Sequence, residues 1–170
     1  MKQEDLITYC GVYCGTCARW YEHTVFRDLV TILAEWVDAQ GYHHWMPRSV
    51  KEFDYTEFRK ALDFFSHKDT WLVCCKGCKG GDGRPDCEIR QCCKNRGIGV
   101  CFDCDEFPCD KVKGDAEMIE RSKEYKELGK EEWLQQQVEK AKQGFELHTK
   151  KYYQTWAKEY PLGQNLGKNA

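Results

Sequence analysis

The sequence predicts a mainly α-helical domain whose helices pack around an irregular cysteine-rich core. Three observations carry this. Nine of the twelve cysteines fall in the 36 residues from Cys74 to Cys109. That stretch has almost no apolar side chains and many Gly and Asp residues, so it needs cross-links in place of a core of its own. On both sides of it, apolar residues recur at the three- and four-residue spacing of amphipathic helices.

The cross-links are best read as metal. Cys75-x2-Cys78 and Cys101-x2-Cys104 have knuckle spacing, and the 22 residues between them lie close to the spacing of a four-thiolate zinc site. At 170 residues the chain predicts one domain over 1–160, with 74–109 as its metal-binding core, 115–158 as a helical brace and 161–170 as a disordered tail. The start, MKQEDLITYC, is acidic where an export signal needs an apolar run, and no 18-residue apolar stretch occurs. The expected location is therefore the cytosol, where twelve cysteines serve as metal ligands or redox groups in preference to disulfides. A formal charge of −2 gives no electrostatic reason to expect nucleic acid or an anionic membrane.

The elements follow in order. Cys10, Cys14 and Cys17 lie in YCGVYCGTC, where Gly11 and Gly15 let the backbone turn sharply enough to gather sulfurs. The C-x3-C-x2-C spacing is also that of radical SAM enzymes, but Thr16 stands where an aromatic is usual and the chain lacks a barrel's strand-helix repeat. Val25, Phe26, Leu29, Val30, Leu33, Trp36 and Val37 predict one helix over 19–40, ended by Gly41, with its aromatic stripe packed in the core. YHHWMPRSV reads as a loop in which His43 and His44 are surface or hydrogen-bonded residues. Asp54 and Glu57 then cap a helix carrying Phe58, Leu62 and Phe65.

Pro85 is expected to open a short helix closed by Gly97, on which Cys87 and Cys92 share a face poorly. Pro108 is expected to start another, placing Cys109 beside free N–H groups that favour a thiolate. Lys76, Lys79, Arg84, Arg90, Lys94 and Arg96 outnumber the nearby acids. Four thiolates on one zinc carry a net charge of −2, so these cations offset the site without any need for nucleic acid. After Gly114 come two helices ended by Gly129 and Gly144 and a third over 145–156.

The segments CGVYCGTC (10–17), CKGC (75–78), CEIRQC (87–92), CFDC (101–104), EFPC (106–109) and ELGKEEWLQQQ (127–137) together resemble the DUF3795 family of small cysteine-rich proteins. Cys10, Cys14, Cys17, Cys75, Cys78, Cys87, Cys92, Cys101, Cys104 and Cys109 match its pattern, whereas Cys74 and Cys93 look extra. The resemblance implies zinc and leaves the activity unassigned. A further CxxC present in some relatives is missing here, so no third metal module is expected.

The resulting expectation is two Zn2+ ions. Cys75, Cys78, Cys101 and Cys104 form one closed structural site, and Cys87, Cys92 and Cys109 with the Cys14/Cys17 loop supply the second. The alternative is a 4Fe–4S cluster or thiol-based redox chemistry on the CxxxCxxC loop. No nucleotide loop, G-x-S-x-G elbow or HExxH is present, so the sequence favours a zinc-binding interaction or regulatory module over an enzyme. The partner class it leaves open is protein, not nucleic acid or membrane.

Overall fold

The structure is a computed structural model that describes residues 2–153. It is mainly helical, with two compact units: residues 2–23 with 74–152, and residues 24–73. No helix among the described residues is long and apolar enough to cross a membrane.

Residues 24–73 form three helices, α1 (Val25–Ala39), α2 (Tyr42–Ser49) and α3 (Tyr55–Ser66). α1 starts later than the apolar spacing predicts. Residues 19–21 are committed elsewhere, since Arg19 O accepts the Cys74 N–H at 2.7 Å and the Tyr21 N–H donates to Cys74 O at 3.1 Å. α2 replaces the expected loop despite Pro47, because helical winding lets Tyr42 pack on the small core of Ala34, Val37 and Leu62. α3 begins as expected: Asp54 Oδ1 accepts the N–H groups of Thr56 at 2.8 Å and Glu57 at 3.1 Å. A forked ion pair, Arg59 to Asp38 at 2.7 and 2.9 Å, ties α3 to α1. The aromatic stripe of α1 does not enter this core. Ala34 and Val37 pack on Leu62 of α3 and Phe26 meets Phe65 edge-on at 5.7 Å, while Phe26, Leu29, Leu33 and Trp36 stay largely exposed, Trp36 at 70%.

The other unit carries α4 (Glu88–Arg96), α5 (Ala116–Leu128), α6 (Lys130–Lys142) and a hairpin of β1 (Phe145–Glu146) and β2 (Lys151–Tyr152). In the antiparallel hairpin Phe145 faces Tyr152 and Glu146 faces Lys151. Asp115 caps α5 by accepting the Met118 N–H at 2.8 Å, and Gly129, at φ +78, turns the chain into α6. The two helices pack against the cysteine-rich segment. Tyr125 stacks edge-on between Phe102 and Trp133 with centroids 5.5 Å from each, and Phe107 meets Phe102 at 5.4 Å.

The cysteine-rich stretch, expected to lack a core of its own, joins the shared core of its unit: Val100 and Phe102 are among the most buried side chains. The amino-terminal loop closes against them. Thr8 N–H donates to Val12 O at 2.8 Å, Cys101 N–H donates to Tyr9 O at 2.8 Å, and Gly11 lies against the Phe102 ring.

Two expected helices are not formed. Over 145–152 the chain makes the hairpin, organised by a buried Glu146 carboxylate that accepts the N–H groups of His148 at 3.0 Å and Thr149 at 2.8 Å. The rest of that expected helix, with Trp156, and the expected tail lie outside the described residues. Pro108 opens no helix either. Residues 110–114 form a turn in which Val112 and Lys113 both donate to Cys109 O at 2.9 Å, so Cys109 does not sit at a helix N-terminus.

Candidate metal centre

All twelve cysteines lie among the described residues as free thiols, and every one belongs to the unit of residues 2–23 and 74–152. Two cavities in that unit divide eleven of them. Cys10, Cys14, Cys17, Cys74, Cys78 and Cys87 line one of about 330 Å³. Cys92, Cys93, Cys101, Cys104 and Cys109 line another of about 170 Å³. Cys75 lines neither and is exposed.

Local structure explains the first group. Cys14, Gly15 and Thr16 wind into a single 3-10 turn, closed by the Cys17 N–H donating to Cys14 O at 3.0 Å, so Cys14 and Cys17 are presented from one tight loop. Thr16 is fully buried and accepts Leu147 N–H on its carbonyl at 2.9 Å, which fixes that loop to the hairpin. Cys74 arrives by its pairing with Arg19 and Tyr21. The CKGC turn is held by the Asp82 carboxylate, which accepts Lys76 N–H at 2.6 Å and Gly77 N–H at 3.1 Å. Cys10 is met by the Thr8 hydroxyl at 3.1 Å. Cys87 is the residue that leads into α4.

The second group is gathered by α4 and the chain after it. Cys92 lies on α4, while Cys101 and Cys104 flank one 3-10 turn. Arg96 donates to Cys104 Sγ at 3.4 Å and to Glu106 at 2.7 Å, holding the far side of the cavity. Cys93 is core, 2% exposed, with its sulfur 4.0 Å from Tyr9 O.

Burial governs the thiols. It pushes Cys14 up to about 11 although the Cys78 N–H favours its thiolate, and it pushes Cys93 up to about 12, reinforced by Cys101. Burial likewise raises Cys17, Cys74, Cys78 and Cys101. The cationic side chains of Arg19 and Arg90 also line the larger cavity.

The expected set of Cys75, Cys78, Cys101 and Cys104 is not brought together, since Cys78 falls in one group and Cys101 and Cys104 in the other. Cys87 and Cys92, expected in one site, are also divided: five residues along a helix turns about 140°. Cys74, set aside in the sequence, takes the place expected for Cys75. A signal for it existed, because Cys74-x3-Cys78 repeats the spacing of Cys10-x3-Cys14. Arg90, and Arg84 with it, were among the cations expected to offset the thiolates, whereas Arg19 was not singled out by the sequence. His43 and His44 lie on α2, away from the thiols in the chain, with ring centroids 3.9 Å apart.

Among the described residues, no three His, Cys, Asp or Glu side chains close on a common point as a metal-holding group. The thiols line the cavity walls instead. The donors nonetheless suit a thiophilic metal in kind and number, since four or more sulfurs face each space.

The model of a family described as "Protein of unknown function (DUF3795)" matches residues 6–114. The chain belongs to this family. No curated protein and no solved structure matches. The DUF3795 match starts just before the first thiol loop and ends just after Cys109, so it takes in all twelve cysteines. It stops short of α5 and α6, and therefore does not reach the ELGKEEWLQQQ segment.

Proposed function

We propose that this DUF3795 protein binds zinc through both thiol groups, and that the zinc is structural, in a module for interaction or regulation with a protein partner in the reducing cytosol. The observation that supports this is the sorting of eleven thiols into two groups within one compact unit, the first of which joins segments more than fifty residues apart in sequence. Thiols brought together in this way in a reducing compartment suit a metal better than disulfides. Thiolate-only donor sets that fill all four positions of zinc leave no open position for catalysis.

A second reading keeps the same residues and changes the metal. Cys10, Cys14 and Cys17 do line one cavity, which is the arrangement an iron–sulfur cluster on that loop would need.

Elemental analysis and absorbance of untagged, full-length protein purified under reducing conditions test both. Zinc at two or more equivalents in colourless protein supports the leading reading. Iron with broad visible absorption replaces it with the second, and protein free of metal overturns both.

A further inference from the structure

Helix α1 carries two apolar stripes where its unit uses one. Residues 27, 30, 34 and 37 recur at spacings of three, four and three and take the inward positions: Ala34 and Val37 join Leu62 in the buried cluster, Val30 packs against it and Arg27 is buried. Residues 26, 29, 33 and 36 repeat that spacing one position back, about 100° round the helix. This second stripe holds the larger side chains. Phe26, Leu29, Leu33 and Trp36 are all exposed, Phe26 the least at 38%.

Aromatic rings extend the surface past the helix. Phe26 meets Phe65 of α3 at 5.7 Å, Phe65 meets Phe64 at 5.3 Å, and Phe64 meets the exposed Trp71 at 6.2 Å. Asp28, Glu35 and Asp38 fall on the far side of α1, so covering the stripe buries none of these charges.

The patch is large enough for a stable interface. With about 200 Å² for a whole aromatic side chain and about 100 Å² for a leucine, the exposed fractions of its six outer residues leave roughly 500 Å² of apolar surface. Soluble monomers rarely leave more than a few hundred Å² of contiguous apolar surface in water. An interface about 60% apolar built around this patch would bury about 800 Å² per partner, the usual size for a specific complex.

The unit that carries the patch also needs a permanent companion. Residues 24–73 contain no cysteine, so no thiol cross-link lies within them. Their buried cluster is Ala34, Val37 and Leu62, with Val30, Tyr42 and Phe58 partly buried against it. A segment of this length around so small a core is of the kind that oligomerisation commonly stabilises. A second copy is present wherever the chain is, and it brings a stripe of the same length and spacing.

We propose that the chain forms a symmetric homodimer in which the Phe26, Leu29, Leu33 and Trp36 stripe of α1 packs on the same stripe of a second copy. The three-four-three repeat is the seam along which paired helices interlock, and a two-fold axis makes one patch serve both sides. The inference goes beyond the zinc reading and does not depend on it.

The test is sedimentation equilibrium of untagged full-length protein, purified with its metal and kept under reductant so that the exposed Cys75 cannot cross-link two chains. Wild type is expected at twice the 20.0 kDa of one chain. Leu33→Glu puts a charge into the seam and should give monomer. Trp36→Ala removes area alone and should weaken the dimer by at least about tenfold, as loss of a central Trp anchor does. Trp45→Ala removes an exposed aromatic of the same unit outside the stripe and should leave the dimer intact. Wild type at 20.0 kDa at every concentration overturns the homodimer and leaves the stripe to a different protein. A dimer that survives both stripe variants, or that Trp45→Ala disrupts equally, overturns it too. If circular dichroism shows that Leu33→Glu does not fold, the wild-type mass and Trp36→Ala still decide.

Discussion

Gly11→Ala should destabilise the thiol-bearing unit by several kcal/mol, while Gly99→Ala, in the same unit, should be close to neutral. Gly11 has φ +74, where an L side chain costs roughly 1–2 kcal/mol. Its added methyl would stand 2.0 Å from Cζ and 2.1 Å from Cε2 of Phe102. That ring is 1% exposed and wedged between Phe107 and Tyr125, so it cannot swing aside cheaply. Forcing it to shift adds roughly 1–3 kcal/mol of overpacking. The total is roughly 2–5 kcal/mol, against a usual margin of about 5–15 kcal/mol. At Gly99 a methyl meets nothing within 4 Å. Urea titrations of both variants, followed by circular dichroism at equal free zinc, measure the difference, since unequal metal would shift stability by mass action. If Gly11→Ala lies within about 0.5 kcal/mol of Gly99→Ala, the packing of the amino-terminal loop on Phe102 is wrong.

Other perturbations separate the remaining contacts. Burial pushes the Glu146 carboxyl up, but His148 and the N–H groups of Thr149, His148 and Ala18 outweigh it and bring it down to about 2 from 4.5. Stability from this depressed group, about 3 kcal/mol, is present above pH 4.5 and lost as pH falls toward 2. The stability gap between wild type and Glu146→Gln should therefore narrow over that window in paired titrations, where metal loss is common to both chains; a gap constant with pH contradicts the assignment. Asp54→Ala should cost about 1 kcal/mol through the lost cap of α3 and leave metal content unchanged, as checked by denaturation and elemental analysis. Cys74→Ser should lower metal content and Cys75→Ser should not; the reverse order in elemental analysis would refute the cavity grouping.

Local signals were legible where local physics decides. Asp54 caps α3, Gly97 ends α4 at φ +67, and Gly129 divides α5 from α6, all as their side-chain chemistry implies. What failed depended on distant partners. The periodicity of α1 showed an apolar stripe but not which side would meet α3, and the smaller residues took the inner face. Knuckle spacing favoured Cys75 over Cys74, yet the backbone pairing of Cys74 with Arg19 and Tyr21, more than fifty residues earlier, turns Cys74 inward. The division of Cys87 from Cys92 was readable, because their five-residue separation already put them on different sides of a helix. The Glu146 hairpin was not, since its carboxylate draws on the Ala18 N–H from the opposite end of the sequence.

The two thiol groups are separate in space but joined in backbone. Cys87 leads into α4 and belongs to the first group, while Cys92 lies on α4 and belongs to the second, so nine helical residues take one end from each. A helix that short is marginal by itself, because nucleation costs more than a few intrahelical bonds return. The amino-terminal loop adds a second tie: Tyr9, next to Cys10, accepts the Cys101 N–H at 2.8 Å, and Cys93 approaches the same carbonyl. Ordering either group therefore positions Tyr9, Cys101 and α4 for the other. Metal bound in one cavity would stabilise the backbone that lines its neighbour.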